Sequence, residues 1–123
     1  MLTNVIIILA ACGFALMGVG ALVRPDVVTR QFGMPQLSTA GRSEVRGVYG
    51  GFGIAMAGIL ILALVQPDLR QGICIASSVA LLGMAAGRII SALIDRSLPR
   101  VALLYLVIEV VMGGLLLLAR HPA

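Results

Sequence analysis

The sequence predicts an all-α protein: an integral-membrane, four-helix, up-and-down bundle forming a single transmembrane domain over residues 1–123. Three observations predict it. The chain is 60% hydrophobic and only 11% charged, with a mean hydropathy of +1.11. A water-soluble domain carries about 25% charged residues to cover its surface. The apolar residues fall into four runs of near-membrane length, and prolines stand at their ends. This composition excludes an ordinary soluble enzyme, a disordered chain and a disulfide scaffold.

The runs give spans over about 2–23, 43–65, 73–94 and 101–119. The second has its uncharged part at Gly47–Val65, the third is broken only by Arg88 and the fourth only by Glu109. Each approaches the ~20 residues a helix needs to cross ~30 Å of hydrocarbon. Open strands would leave backbone groups unpaired in lipid, so the spans are helices.

Pro25 follows the first run, Pro67 follows the second and Pro99 precedes the fourth. Proline is tolerated there because a helix end has no use for its missing N–H. Gln66-Pro67-Asp68 and Ser97-Leu98-Pro99 are tight connections, so the spans they join are antiparallel neighbours. The first connection, Arg24 to Arg46, is longer. Asp26–Phe32 within it has amphipathic character and is expected to lie along the interface, ended by Gly33 and Pro35. Ser38 or Thr39 is the expected N-cap of the second span.

Ala21-Leu22-Val23-Arg24-Pro25-Asp26 and Ala63-Leu64-Val65-Gln66-Pro67-Asp68 are nearly identical. Convergent punctuation and an old duplication of helical hairpins both account for this. Leu9-Ala10-Ala11-Cys12 resembles a lipoprotein cleavage box, but no positive n-region precedes it, so a retained span is expected. Cys12 and Cys74 have no metal-ligand spacing and read as small packing residues.

All nine basic residues are Arg. They sit in short gaps between spans rather than in one patch, which disfavours nucleic-acid binding. The first and third connections hold Arg24, Arg30, Arg42, Arg46, Arg96 and Arg100, and the other side only Arg70 and Arg120. The positive-inside bias then places those two connections in the cytoplasm and both termini outside, in an inner membrane. With no Trp and two Tyr, no aromatic belt supports the assignment. Gly47/Gly51 and Gly83/Gly87 are small-xxx-small pairs, and Gly53 with Ala57 extends the pattern. Such faces serve packing within the bundle or a homodimer.

Arg88 and Glu109 are the residues with most to say. A charge near mid-bilayer costs about 2.5–3.5 kcal/mol on insertion scales, so it usually turns inward and pairs. Arg88 lies seven residues before Asp95, about 10 Å from the helix end, and Glu109 nine after Arg100, about 13 Å from the same side. An ion pair is expected. Arg42, Arg46 and Tyr49 recur on one face of the second span, with Glu44 about 160° round the helix from Arg46, at the mouth. Ser91 continues the Arg88 face and Tyr105 sits one turn from Glu109. The expected site is therefore Arg42, Glu44, Arg46, Tyr49, Arg88, Ser91, Tyr105 and Glu109, in the cytoplasmic half.

The segment Arg42-Ser43-Glu44-Val45-Arg46-Gly47-Val48-Tyr49-Gly50-Gly51, with Gly87-Arg88 and Glu109, resembles the pattern of a bacterial family of short four-span membrane proteins. That family is known as a domain of unknown function, with an E-[IV]-R-x-x-Y-G-G signature. The resemblance covers nearly the whole chain and implies its fold and a site, but no activity. The chain is more loosely similar to DoxX-like membrane proteins.

Three functions compete. Three arginines against Glu109 favour binding of an anionic or amphipathic small molecule or lipid. A metal-free isomerase or cyclase would use Glu109 as acid or base and Tyr49 or Tyr105 as proton donor. A transporter or an accessory subunit of a larger complex is the third reading. No metal, haem or nucleotide motif is present, the lone His121 lies in the C-terminal tail, and no cofactor is expected.

Overall fold

Proline and single extended residues cut the apolar chain into helices. The computed structural model describes residues 1–121. In order they form α1 (Leu2–Val23), α2 (Pro25–Arg30), α3 (Thr39–Val65), α4 (Pro67–Asp95) and α5 (Arg100–Ala119). Helix α3 is α-helical over Thr39–Val45 and Phe52–Val65, with a π-helical stretch, Arg46–Gly51, between. The described residues contain no strand. Helices α1, α3, α4 and α5 are 22, 27, 29 and 20 residues long and apolar enough to cross a membrane.

The two near-identical segments adopt one local structure. Arg24 (φ −134°, ψ 68°) and Gln66 (φ −125°, ψ 90°) are each a whole connection. Arg24 N–H donates to Gly20 O at 2.8 Å, and Gln66 N–H donates to Leu62 O at 2.9 Å. Pro25 and Pro67 then open the next helix, where Asp26 and Asp68 favour the positive helix start. In the first copy the new helix stops after six residues. The chain turns at Gly33 (φ +75°), and Leu37 N–H donates to Asp26 Oδ1 at 3.2 Å. Ser38 caps α3, its Oγ accepting from Gly41 N–H at 3.0 Å. The third connection turns through Arg96 in the left-handed region (φ 52°, ψ 39°).

Helix α1 packs on α3, α3 on α4, α4 on α5, and α5 back on α1, which closes a four-helix bundle. Its core includes Ile7, Leu60, Cys74, Leu81 and Leu116. Outside stand Leu9, Leu16, Val79, Ile90, Leu104 and Leu118, all exposed. So much outward apolar surface on every helix is the signature of lipid as solvent, and the protein is a multi-pass membrane protein. Cys74 is buried as expected, whereas Cys12 faces outward on α1.

Of the small-residue positions picked from spacing, Gly53 serves a close helix approach, together with Gly18, and the Gly47/Gly51 and Gly83/Gly87 pairs do not. A Cβ on Gly53 would lie 2.7 Å from Phe14 O, and one on Gly18 2.7 Å from Ile54 N, so α1 and α3 touch backbone to backbone. Gly47, Gly83 and Gly87 have open space where a Cβ would stand, and Gly51 meets only its own helix. A four-residue spacing puts two glycines on one face but does not say which face meets a neighbour. Between α4 and α5, Ser78 Oγ donates to Gly113 O at 2.6 Å. Ser78→Ala is expected to cost about 0.6 and at most about 1.7 kcal/mol, read from reversible unfolding in mixed micelles.

Candidate functional site

Two arginines of the expected site do other work. The last four carbonyls of a helix lack intrahelical partners, and cationic side chains satisfy them well. Arg46 Nε donates to Leu22 O, in the last turn of α1, at 3.0 Å. Arg70 Nε donates to Ala63 O, in the last turn of α3, at 3.2 Å. Arg120 does the same for Leu117 on α5. Arg42 reaches back into the first connection, donating to Leu37 O at 2.9 Å and Thr39 Oγ1 at 3.1 Å. Glu44 is exposed. None of Arg42, Glu44 and Arg46 lines the cleft described next.

The other five residues converge. Arg88 of α4 and Glu109 of α5 form a two-pronged pair: Nε donates to Oε1 at 2.8 Å and Nη2 to Oε2 at 3.0 Å. The Glu109 side chain is only 4% exposed and that of Arg88 24%. A buried carboxylate needs such a partner, and the planar guanidinium supplies two parallel donors. Glu109 is the only charged residue buried among those described. The Arg88 Cζ stands 5.4 Å from the centroid of the Tyr105 ring, a cation–π distance. Tyr105 in turn is held from the first connection. Its hydroxyl donates to Gln31 Oε1 at 3.0 Å, and its ring lies 5.5 Å from that of Phe32.

Tyr49, Arg88 and Ser91 line a cleft of ≈ 350 Å³. Met84, Gly87 and Ala92 of α4, the Ser97-Leu98-Pro99 turn and Ala102 of α5 complete it. Tyr49 comes from the π-helical stretch, a feature that recurs at functional sites. Glu109 and Tyr105 lie behind Arg88 and position it. The pair engages Nε and Nη2, and Nη1 has no partner among the described residues. Chemically the cleft presents one donor-only group, Arg88 Nη1, and the Tyr49, Ser91 and Ser97 hydroxyls, which can donate or accept. No cluster of three or more potential metal-ligating side chains occurs among the described residues.

Sequence reasoning missed Gln31, Phe32 and Ser97. Gln31 and Phe32 sit in an irregular connection, where periodicity gives no signal. The signal for Ser97 was its place in the turn that joins the two helices carrying the ion pair.

The family model described as a domain of unknown function, DUF4345, matches residues 2–120. The chain belongs to this family. Neither a curated protein nor a solved structure matches this DUF4345 chain. The match runs through every helix of the bundle and so takes in both halves of the Arg88–Glu109 pair.

Proposed function

We propose that the cleft binds the polar head of an amphipathic small molecule or lipid, in the cytoplasmic half of a bacterial inner membrane. The observation that carries this reading is the unspent Nη1 of Arg88 on a guanidinium that lines a cavity. Ligand pockets of this kind are concave, mostly apolar and fitted with a few convergent polar groups. The cytoplasmic assignment rests on the arginine count over the first and third connections, which form the cleft end of the bundle. Both termini then lie outside.

The enzymatic reading is less well supported. Both carboxylate oxygens of Glu109 are engaged by Arg88, so the residue is not free to move protons. Tyr49 is left as the one candidate proton donor that lines the cleft. A pore is disfavoured because no charged residue other than Glu109 is buried among those described.

Native mass spectrometry on protein released from mild detergent tests the proposal, beside the variant Arg88→Gln/Glu109→Gln. Wild type is expected to carry a discrete added mass that the folded double variant lacks. Equal spectra, bare or loaded, would overturn the reading and leave the pair as a structural register pin. The same spectra would report a homodimer or a tightly held partner protein.

A further inference from the structure

We infer that the natural occupant is a membrane lipid with an oxyanion head, a phosphate or carboxylate, which reaches the cleft sideways from the bilayer between α3 and α4. This rests on the proposed binding role of the cleft and adds the class of ligand and its route.

The route follows from how α3 and α4 diverge. They are joined through Gln66 alone, and α3 packs on α4 along Phe52–Val65. Its other half, Thr39–Gly51, stands off from α4, and Tyr49 is the only α3 residue in the cleft lining. The two helices therefore part toward the cleft end, and the gap opens on the flank of the bundle. Val48 and Ile90, neighbours of the lining residues, are 50% and 57% exposed, so the surface around the gap is apolar and lipid-facing. What lies outside this opening is hydrocarbon and the lipid head groups above it.

The head follows from the chemistry left over. Arg88 is about 10 Å from the helix end at 1.5 Å per residue. The Arg88 side chain keeps 24% exposure toward the cleft, so its unpartnered donor is met there either by water or by an acceptor that a ligand brings. Arg88 Nη1 can only donate, the Tyr49, Ser91 and Ser97 hydroxyls can donate or accept, and the one carboxylate beside the cleft is consumed by Arg88. Arg96 and Arg100 flank the Ser97-Leu98-Pro99 lip in sequence, against Asp95 alone. The balance favours an oxyanion, which arginine recognises with paired donors.

Size separates head from tail. A volume of ≈ 350 Å³ accommodates a head group but not also a chain that reaches the bilayer mid-plane, a distance of roughly 15 Å. The chain must leave the cleft over Gly87, where open space takes the place of a side chain.

The test titrates detergent-purified protein with oleoyl lysophosphatidate and, separately, with glycerol 3-phosphate, reading occupancy by native mass spectrometry. Gly87→Leu plugs the opening without touching a polar group. Gly114→Leu fills equally open space on α5, away from the cleft, and serves as the control. Lysophosphatidate is expected to bind wild type and Gly114→Leu one to one, and Gly87→Leu at least about tenfold more weakly. Glycerol phosphate, lacking the tail, is expected to bind at least about a hundredfold more weakly than the lipid. If glycerol phosphate binds as tightly as the lipid and Gly87→Leu abolishes it, the lateral lipid is overturned while the cleft remains a binding site. If the lipid binds wild type, Gly87→Leu and Arg88→Gln/Glu109→Gln alike, it is annular, and the inference and the binding role fall together.

Discussion

Glu109→Leu alone is expected to destabilise the bundle by about 3–5 kcal/mol, whereas Arg88→Leu/Glu109→Leu is expected to match wild type or exceed it by up to about 4 kcal/mol. The asymmetry follows from what each change leaves behind. The single variant strands a guanidinium beside apolar helices, having lost both of its carboxylate contacts at 2.8 and 3.0 Å. The double variant removes the desolvation cost of both charges and replaces them with packing. The Arg88 side chain keeps 24% exposure toward the cleft, so it can draw in water or lipid phosphate. That places the single-variant loss at the lower end of the range in phosphate-rich lipid. Denaturant unfolding in mixed micelles measures all three proteins. A Glu109→Leu variant as stable as wild type would mean that the pair is solvated and contributes nothing to the fold. A stable double variant that has also lost its bound mass would separate the two roles, because the pair would then be kept for its ligand rather than for stability.

That pair was legible in the sequence for a physical reason. A charge inside an apolar span must find a partner, a tight turn makes the two helices neighbours, and residue counts from the turn fix a common depth. The spans themselves were legible because lipid allows no irregular backbone. An unbroken helical period from Arg42 to Gly53 puts Arg42 and Arg46 on the face of Tyr49, and Glu44, about 160° round the helix from Arg46, joins them only at the mouth. The π-helical stretch Arg46–Gly51 breaks that period, since it uses more residues per turn and shifts the phase of everything after it. Arg46 was also claimed by a stronger local demand, the unpaired carbonyl of Leu22 at the end of α1. Nothing in a hydropathy pattern marks an arginine as a cap for another helix. The same holds for Gln31 and Phe32, which reach Tyr105 from a connection with no repeat to read.

Gly53→Ala is expected to rank with Gly18→Ala among the most damaging single-methyl changes, since each new Cβ would meet backbone at 2.7 Å. Two effects oppose each other. Alanine in a helix interior is favoured over glycine by about 1 kcal/mol. Against that, the new Cβ would lie 2.7 Å from Phe14 O, 2.9 Å from Gly18 Cα and 2.9 Å from Gly18 N. All three are backbone atoms of α1, so no side chain can turn aside and the helices must separate. Overpacking of this kind costs about 1–3 kcal/mol and occasionally more, which outweighs the propensity gain. In lipid no hydrophobic force pulls the separated helices back together, since packing itself is what holds them. Gly58→Ala, on the same helix with open space around it, keeps the gain without the clash and is expected to be neutral or up to about 1 kcal/mol more stable. Gly50→Ala should fall between them, because its nearest neighbours are side-chain carbons of Leu22 that can yield. Thermal unfolding of the three variants in one detergent orders them, and equal stability of Gly53→Ala and Gly58→Ala would refute the crossing. The crossing also bears on the cleft. Gly18, Gly50 and Gly53 hold the middle of α3 against α1, next to the gap where Tyr49 and Gly87 stand. Forcing α1 and α3 apart moves α3 toward that gap, so a Gly53→Ala protein that still folds is expected to hold less lipid than Gly58→Ala.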